Sequence, residues 1–188
     1  CGRYEIRTWS PGVHDTFLDA FLFSHSLGCR KAELVRYMLS NISWLTPDLD
    51  EGDATLDWLS RVDDSWWCCM ATVCSKTDYD NTKYGAQRMW FKVDSSDPWN
   101  IASRLLARER QGRTPGRQSS CVRVCDRRHT PLFCDPSTGL GVTGKILDGW
   151  LDTVKSTYVT GPIAQYLTWH SGRVTLASSL VACNKDWG

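Results

Sequence analysis

The apolar spacing of residues 13–45 constrains the fold more than any other feature of the chain. In "VHDTFLDAFLFSHSLG" the pairs Phe17/Phe21 and Leu18/Leu22 stand four apart and share one face of a helix. Gly28 breaks the pattern, and "CRKAELVRYMLSNISWL" restarts it. Ala32, Val35, Met38 and Leu39 form the second stripe, with Arg30, Lys31, Glu33 and Arg36 outside it. "TPDLDEGDATLDWLSRVDD" adds a turn and a short acidic helix around 54–62. The spacing predicts a helical unit over residues 1–70.

The texture changes at "SWWCCMATVCSKTDYDNTKYGAQRMWFKV". Residues 69–73 and 88–93 read as strands joined by a polar turn around 79–85. A helix follows, with Asp97 as N-cap, Pro98 at the first helical position, and Ile101, Leu105 and Leu106 as its apolar residues. "QGRTPGRQSS" reads as an exposed linker. Beyond it come a helix at 143–155 and strands at 157–169 and 172–183. The fold class expected is α+β: a helical N-terminal part, 1–70; a strand–helix region with a basic linker, 71–118; and a mixed C-terminal region, 119–188. A chain of 188 residues can bury a core as one domain or as two small ones.

Nine cysteines cannot all pair with one another, and Cys68 and Cys69 are adjacent, where a bridge is strained. A reducing compartment is therefore expected. Three of the nine join a histidine in "CVRVCDRRHTPLFC". Cys121, Cys125, His129 and Cys134 supply the four soft ligands of a closed zinc site, in a spacing near to that of a zinc knuckle. The same spacing also suits buried structural thiols, a disulfide or the surroundings of a nucleophile, and the sequence leaves these open.

The net charge of +1 gives the whole chain no gross attraction to nucleic acid or membrane, and no apolar run nears the ~18 residues of a bilayer span. Charge is nevertheless concentrated. Between Arg104 and Arg128 eight arginines (104, 108, 110, 113, 117, 123, 127 and 128) stand against Glu109 and Asp126. Arg104, Arg108, Arg113, Arg117, Arg123, Arg127 and Arg128 are the candidate phosphate contacts to RNA or another nucleic acid; the competing reading is a solvated helix face and loop. The chain starts at Cys1 without an initiator methionine or signal peptide, which reads as a processed product or an excerpt.

His170, in "QYLTWHSGRV", closes an apolar stretch before a Ser-Gly turn. A cysteine protease needs an imidazole in such a place to hold its thiol as thiolate and to protonate the leaving amine. A polar residue ending a strand is the competing reading. For the thiol, Cys29 follows Gly28 and opens a helix, where the helix dipole lowers a thiol pKa, although Arg30 replaces the expected aromatic.

"GVTGKILDGWL" (141–151), "TGPIAQYL" (160–167), Trp169-His170 and the terminal "ACNKDWG" (182–188) occur in an order that resembles the arterivirus non-structural protein 1 beta subunit. "CCMATV" (68–73) resembles the alpha/beta subunit junction of that family, and "RMWFKV…IASRLLARER" the start of its beta subunit. The resemblance implies a viral leader protein of papain-like autoprotease ancestry that cuts its own C-terminus once and leaves Gly188 as the P1 residue. It implies His170 as general base, suppression of host interferon responses through innate-immunity proteins, action on RNA, a host cytoplasmic and nuclear location, and a homodimer as one compatible assembly.

The chain departs from the family pattern in three places. "CDPSTGLGVTGK" stands where the family has a Cys-Trp helix, so the family does not assign Cys29 as the nucleophile. Gly149-Trp150 replaces a basic pair tied to RNA. The tail beyond His170 is short. Separately, "PGVHDTFLDAFL" has the shape of a Gly-x-Cys-Trp helix start, with His14-Asp15 where a thiol would be. Two readings from other classes compete: a secreted cysteine-rich effector or toxin without catalysis, and a zinc-stabilised nucleic-acid-binding module.

Overall fold

The computed structural model describes residues 6, 9–10, 12–73, 80, 82, 87–113, 126–159 and 161–171. The fold is α+β, and among the described residues five α-helices accompany a three-stranded antiparallel sheet. Helix α1 (Val13–Leu27) lays Phe17, Ala20, Phe23 and Leu27 into the core. It ends where Gly28 takes left-handed backbone (φ 60°), a conformation that costs a glycine little, and the Gly28 N–H bonds back to the His25 carbonyl.

The second expected helix is one turn only, α2 (Lys31–Leu34). Residues 39–41 make a single 3₁₀ turn, and Ile42–Leu45 form strand β1 instead of continuing the helix. The β-branched and aromatic side chains of Ile42 and Trp44 find cross-strand partners in Met70 and Cys68, which outweighs the helical spacing of Val35 to Leu39. Helix α3 (Leu56–Arg61) matches the acidic helix expected there, capped by the Thr55 hydroxyl accepting from the Trp58 N–H.

Strands β2 (Trp67–Ala71) and β3 (Arg88–Lys92) complete the sheet in the order β1–β2–β3. Its inner face carries Ile42, Trp44, Cys68, Met70, Met89 and Phe91 onto the core; Ser43, Cys69 and Trp90 align across the outer face. Because β2 pairs on both sides and crosses the 70/71 boundary, the described residues on either side of that boundary, up to the end of α4, share one sheet and one core. Met70, completely buried, sits at the peptide bond read as a subunit junction.

Helix α4 (Ile101–Arg113) starts later than expected. Asn100 caps it by accepting from the Ser103 N–H, while Asp97 binds the Trp99 N–H in the preceding turn. It packs Ile101, Ala102, Leu105 and Leu106 against α1 and α3.

Residues 127–132 lie along the 37–40 segment, with Leu39 N–H bonded to Thr130 O, Ser40 N–H to Arg127 O and Leu132 N–H to Tyr37 O. Phe133 meets Phe23 edge-on with ring centroids 5.4 Å apart. Helix α5 (Gly144–Tyr158), capped by Thr143, buries Leu147 and Leu151. The strand expected at 157–169 is instead the end of α5 and a 3₁₀ turn over Gly161–Tyr166, whose Gly-Pro start cannot supply a ladder donor at Pro162. The strand expected at 172–183 lies outside the described residues, as does residue 188. No helix among the described residues is long and apolar enough to cross a membrane.

Candidate functional site

The groove between α2 and α5 is where the predicted histidine lies. Arg30 caps α2, its backbone N–H donating to Glu33 Oε2 at 2.8 Å and its guanidinium meeting Glu33 Oε1 at 3.4 Å. One residue on, Lys31 reaches across to Asp148 of α5, Nζ to Oδ2, 2.5 Å. Burying Leu147 and Leu151 turns Asp148, Asp152 and Lys155 along one outer stripe of α5, since positions four and three apart share a helix face. Lys155 lies 3.7 Å from Asp152.

Trp169 closes the end of the groove. It is buried against Phe17 and Phe21, with both centroid distances 5.8 Å, and its indole N–H donates to the Leu147 carbonyl at 3.2 Å. That bond fixes the 167–171 turn on α5. Within the turn the Thr168 N–H donates to Ser171 Oγ, and the His170 N–H to Thr168 Oγ1. His170 is thereby held at the solvent edge of a cavity of about 580 Å³ whose walls carry Arg30, Lys31, Asp148, Asp152 and Lys155. The volume fits a short stretch of peptide, and the alternating charges offer both carboxylates and cations to its backbone and side chains.

Cys29 stands next to Arg30 in sequence but not among the residues lining this groove. Its side chain is in the main core, 5% exposed, and its carbonyl accepts from the Ser24 hydroxyl. It lies close to Tyr37, whose hydroxyl is pushed well above its ordinary range by burial first and by the Cys29 thiol next. His14 is exposed on α1, its ring centroid 6.1 Å from that of Trp9.

Four described arginines of the basic stretch bond inward. Asp19 of α1, 4% exposed, takes Arg104 Nε at 2.5 Å and Arg108 through Nε (2.9 Å) and Nη2 (2.5 Å). Thr16 adds a hydroxyl beside Arg108. Arg110 donates to the carbonyls of Leu59 and Val62, tying α4 to the end of α3. Arg127 lies 2.9 Å from Glu109, which is 1% exposed and also accepts from the Trp44 indole N–H, and Arg127 donates to the Ile42 carbonyl. Four of the eight arginines thus hold α4 and the 126–134 loop to the core, and Arg128 is exposed. Arg117 and Arg123 lie outside the described residues; Arg113 ends α4.

Of the candidate zinc ligands, Cys121 and Cys125 lie outside the described residues. His129 is 82% exposed, with Nδ1 2.8 Å from Asp126 Oδ2. Cys134 is in the core, its thiol donating to the Pro131 carbonyl. Among the described residues no group of three or more His, Cys, Asp or Glu side chains is placed to hold a metal ion. Cys29, Cys68, Cys69 and Cys134 carry thiols. Burial, above all else, pushes the Cys68 and Cys69 thiols up, which suits packing rather than nucleophilic attack.

Asp19 and Glu109 are the structural carboxylates that the sequence argument missed. Each carried a legible signal, because each falls on the apolar stripe of its own helix: Thr16, Asp19, Ala20 and Phe23 in α1, and Leu105, Leu106 and Glu109 in α4. A carboxylate on a buried stripe requires a buried cation. Compared with known protein families, with curated proteins and with solved structures, the chain finds no match in any of the three.

Proposed function

We propose that the chain is a viral non-structural leader protein of papain-like cysteine autoprotease ancestry, acting on its own C-terminus after Gly188 and antagonising host innate immunity. The observation that carries the reading is His170 itself. It stands exposed at the rim of a groove large enough for peptide, on a turn locked to α5 by the Trp169–Leu147 bond, as a general base must be held. The sequence resemblance supplies the reaction class, the cleavage point and the immune partner.

Autoproteolysis of this kind needs a thiolate to attack the Gly188 carbonyl, with the imidazole taking the thiol proton and returning it to the leaving amine. Cys29 is the candidate thiol from sequence, and its place in the core means that it must be brought to the groove in order to act. Expression with a peptide fused beyond Gly188 tests the reading. Release in the wild type, lost in His170→Ala and in one cysteine variant of the nine, supports it. Release that survives His170→Ala overturns the role of His170, and no release overturns the protease.

A further inference from the structure

Among the described residues strand β3 is an edge of the sheet, and two contacts set its bonding pattern. The Val93 N–H bonds to Trp66 O and the Thr72 N–H to Gln87 O. In an antiparallel ladder the bonded pairs alternate, so residues 87, 89, 91 and 93 turn their backbone groups toward β2. Arg88, Trp90 and Lys92 turn theirs outward, and among the described residues only the Lys92 carbonyl is taken, by the Asn100 side-chain amide. The same three residues, two apart, share the outer face of the sheet, and all three are exposed, Trp90 by 43%. Trp99, 61% exposed, precedes Asn100 and so marks the Lys92 end of this edge. Nearby carboxylates lie off the strand. Glu51 is bonded to Ser43 and acts on the Cys69 thiol, to which the Arg88 side chain also bonds, and Asp94 turns back onto the Ser96 N–H and hydroxyl.

We propose that the β3 edge binds an extended acidic peptide by strand addition. The outward amides and carbonyls of Arg88 and Trp90 supply the ladder, Arg88 and Lys92 face carboxylates, and Trp90 packs an apolar side chain between them. Charge selects this occupant over a second copy of the chain. An antiparallel β3–β3 pair centred on Trp90 sets Arg88 opposite Lys92 twice, which is repulsive. The proposal is independent of the protease reading.

Fluorescence anisotropy of the full chain with labelled Ser-Glu-Thr-Val-Thr-Glu-Ser tests it, against the same peptide with lysine for glutamate and against a backbone N-methylated version. The glutamate peptide is expected to bind about tenfold more tightly than the lysine peptide, from two exposed charge pairs. Arg88→Glu with Lys92→Glu reverses that order, and N-methylation abolishes binding. Both substituted side chains are exposed, so the fold persists, and circular dichroism checks it. Trp90→Ala weakens binding of both peptides. Equal affinities for the two peptides, indifference to the charge reversal, no binding, a wild-type dimer that excludes the peptide, or tighter binding of oligouridylate at Arg88 and Lys92 would each overturn the proposal.

Discussion

Replacing Asp19 with asparagine removes one negative charge from the centre of the α1–α4 contact and leaves two guanidinium groups facing each other. The side chain is nearly inaccessible, and Arg108 on its far side is 9% exposed, so water cannot replace the lost carboxylate there. Arg104 is 23% exposed and recovers part of its solvation. Breaking a buried pair by removing one partner costs about 3–5 kcal/mol, and the partial exposure of Arg104 places this case near ~3 kcal/mol. With a urea slope of about 2 kcal/mol/M, the midpoint should fall by ~1.5 M at unchanged slope. The companion variant, Asp19→Leu with Arg104→Met and Arg108→Met, removes all three charges together and should return to within about 1 kcal/mol of the parent, because well-packed apolar groups replace a buried ion cluster at little cost. A midpoint shift below about 0.3 M for Asp19→Asn would refute the placement of these arginines in the core.

Three further outcomes follow from particular contacts. Gly52→Ala should cost about 1–3 kcal/mol, since a Cβ there would stand 2.7 Å from the Trp58 ring, itself wedged edge-on against Trp66; thermal melting reads it. Asp63, Asp80, Asp94 and Asp126 are all held below the ordinary carboxyl range. The first three are held mainly by Ser65, Thr82 and Ser96 hydroxyls, and Asp126 mainly by the Arg128 N–H and then by His129. Because their folded pKa values are depressed, the stability they lend is complete above about pH 4 and is lost as pH falls through the folded values. Stability from these groups should be flat above that point, and a rise in stability on acidification would contradict it. Thiol counting with a disulfide reagent should find Cys68, Cys69 and Cys134 reactive only after unfolding. Seven or more thiols in total, after metal removal, would exclude the secreted disulfide-rich reading; one thiol would exclude the leader-protein reading.

The chain shows which parts of such a fold can be read from local pattern. The Gly28 break, the helix near 54–62, the strand at 88–93 and the α5 helix all follow from periodicity and turn chemistry over a few residues. The stretch 35–45 does not, because its strand exists only through pairing with residues 67–70, and local spacing carries no record of that partner. The inward bonds of Arg104 and Arg108 were hidden for the same reason. Summed charge made the cluster a surface patch, whereas Asp19 lies 85 positions before Arg104 and binds two of its members. His170 was legible as a polar residue after an apolar stretch, but its groove depends on α2 and on the Lys31–Asp148 contact across 117 positions. That β3 pairs on one side only among the described residues is equally a matter of topology, since nothing in "RMWFK" says which strands flank it.

Intact-mass spectrometry of the chain expressed with a defined extension beyond Gly188 tests the central claim most directly. The account predicts a product ending at Gly188 and a released peptide in the parent, and only the uncut mass in His170→Ala. An uncut parent, or the same cleavage in both, would contradict it.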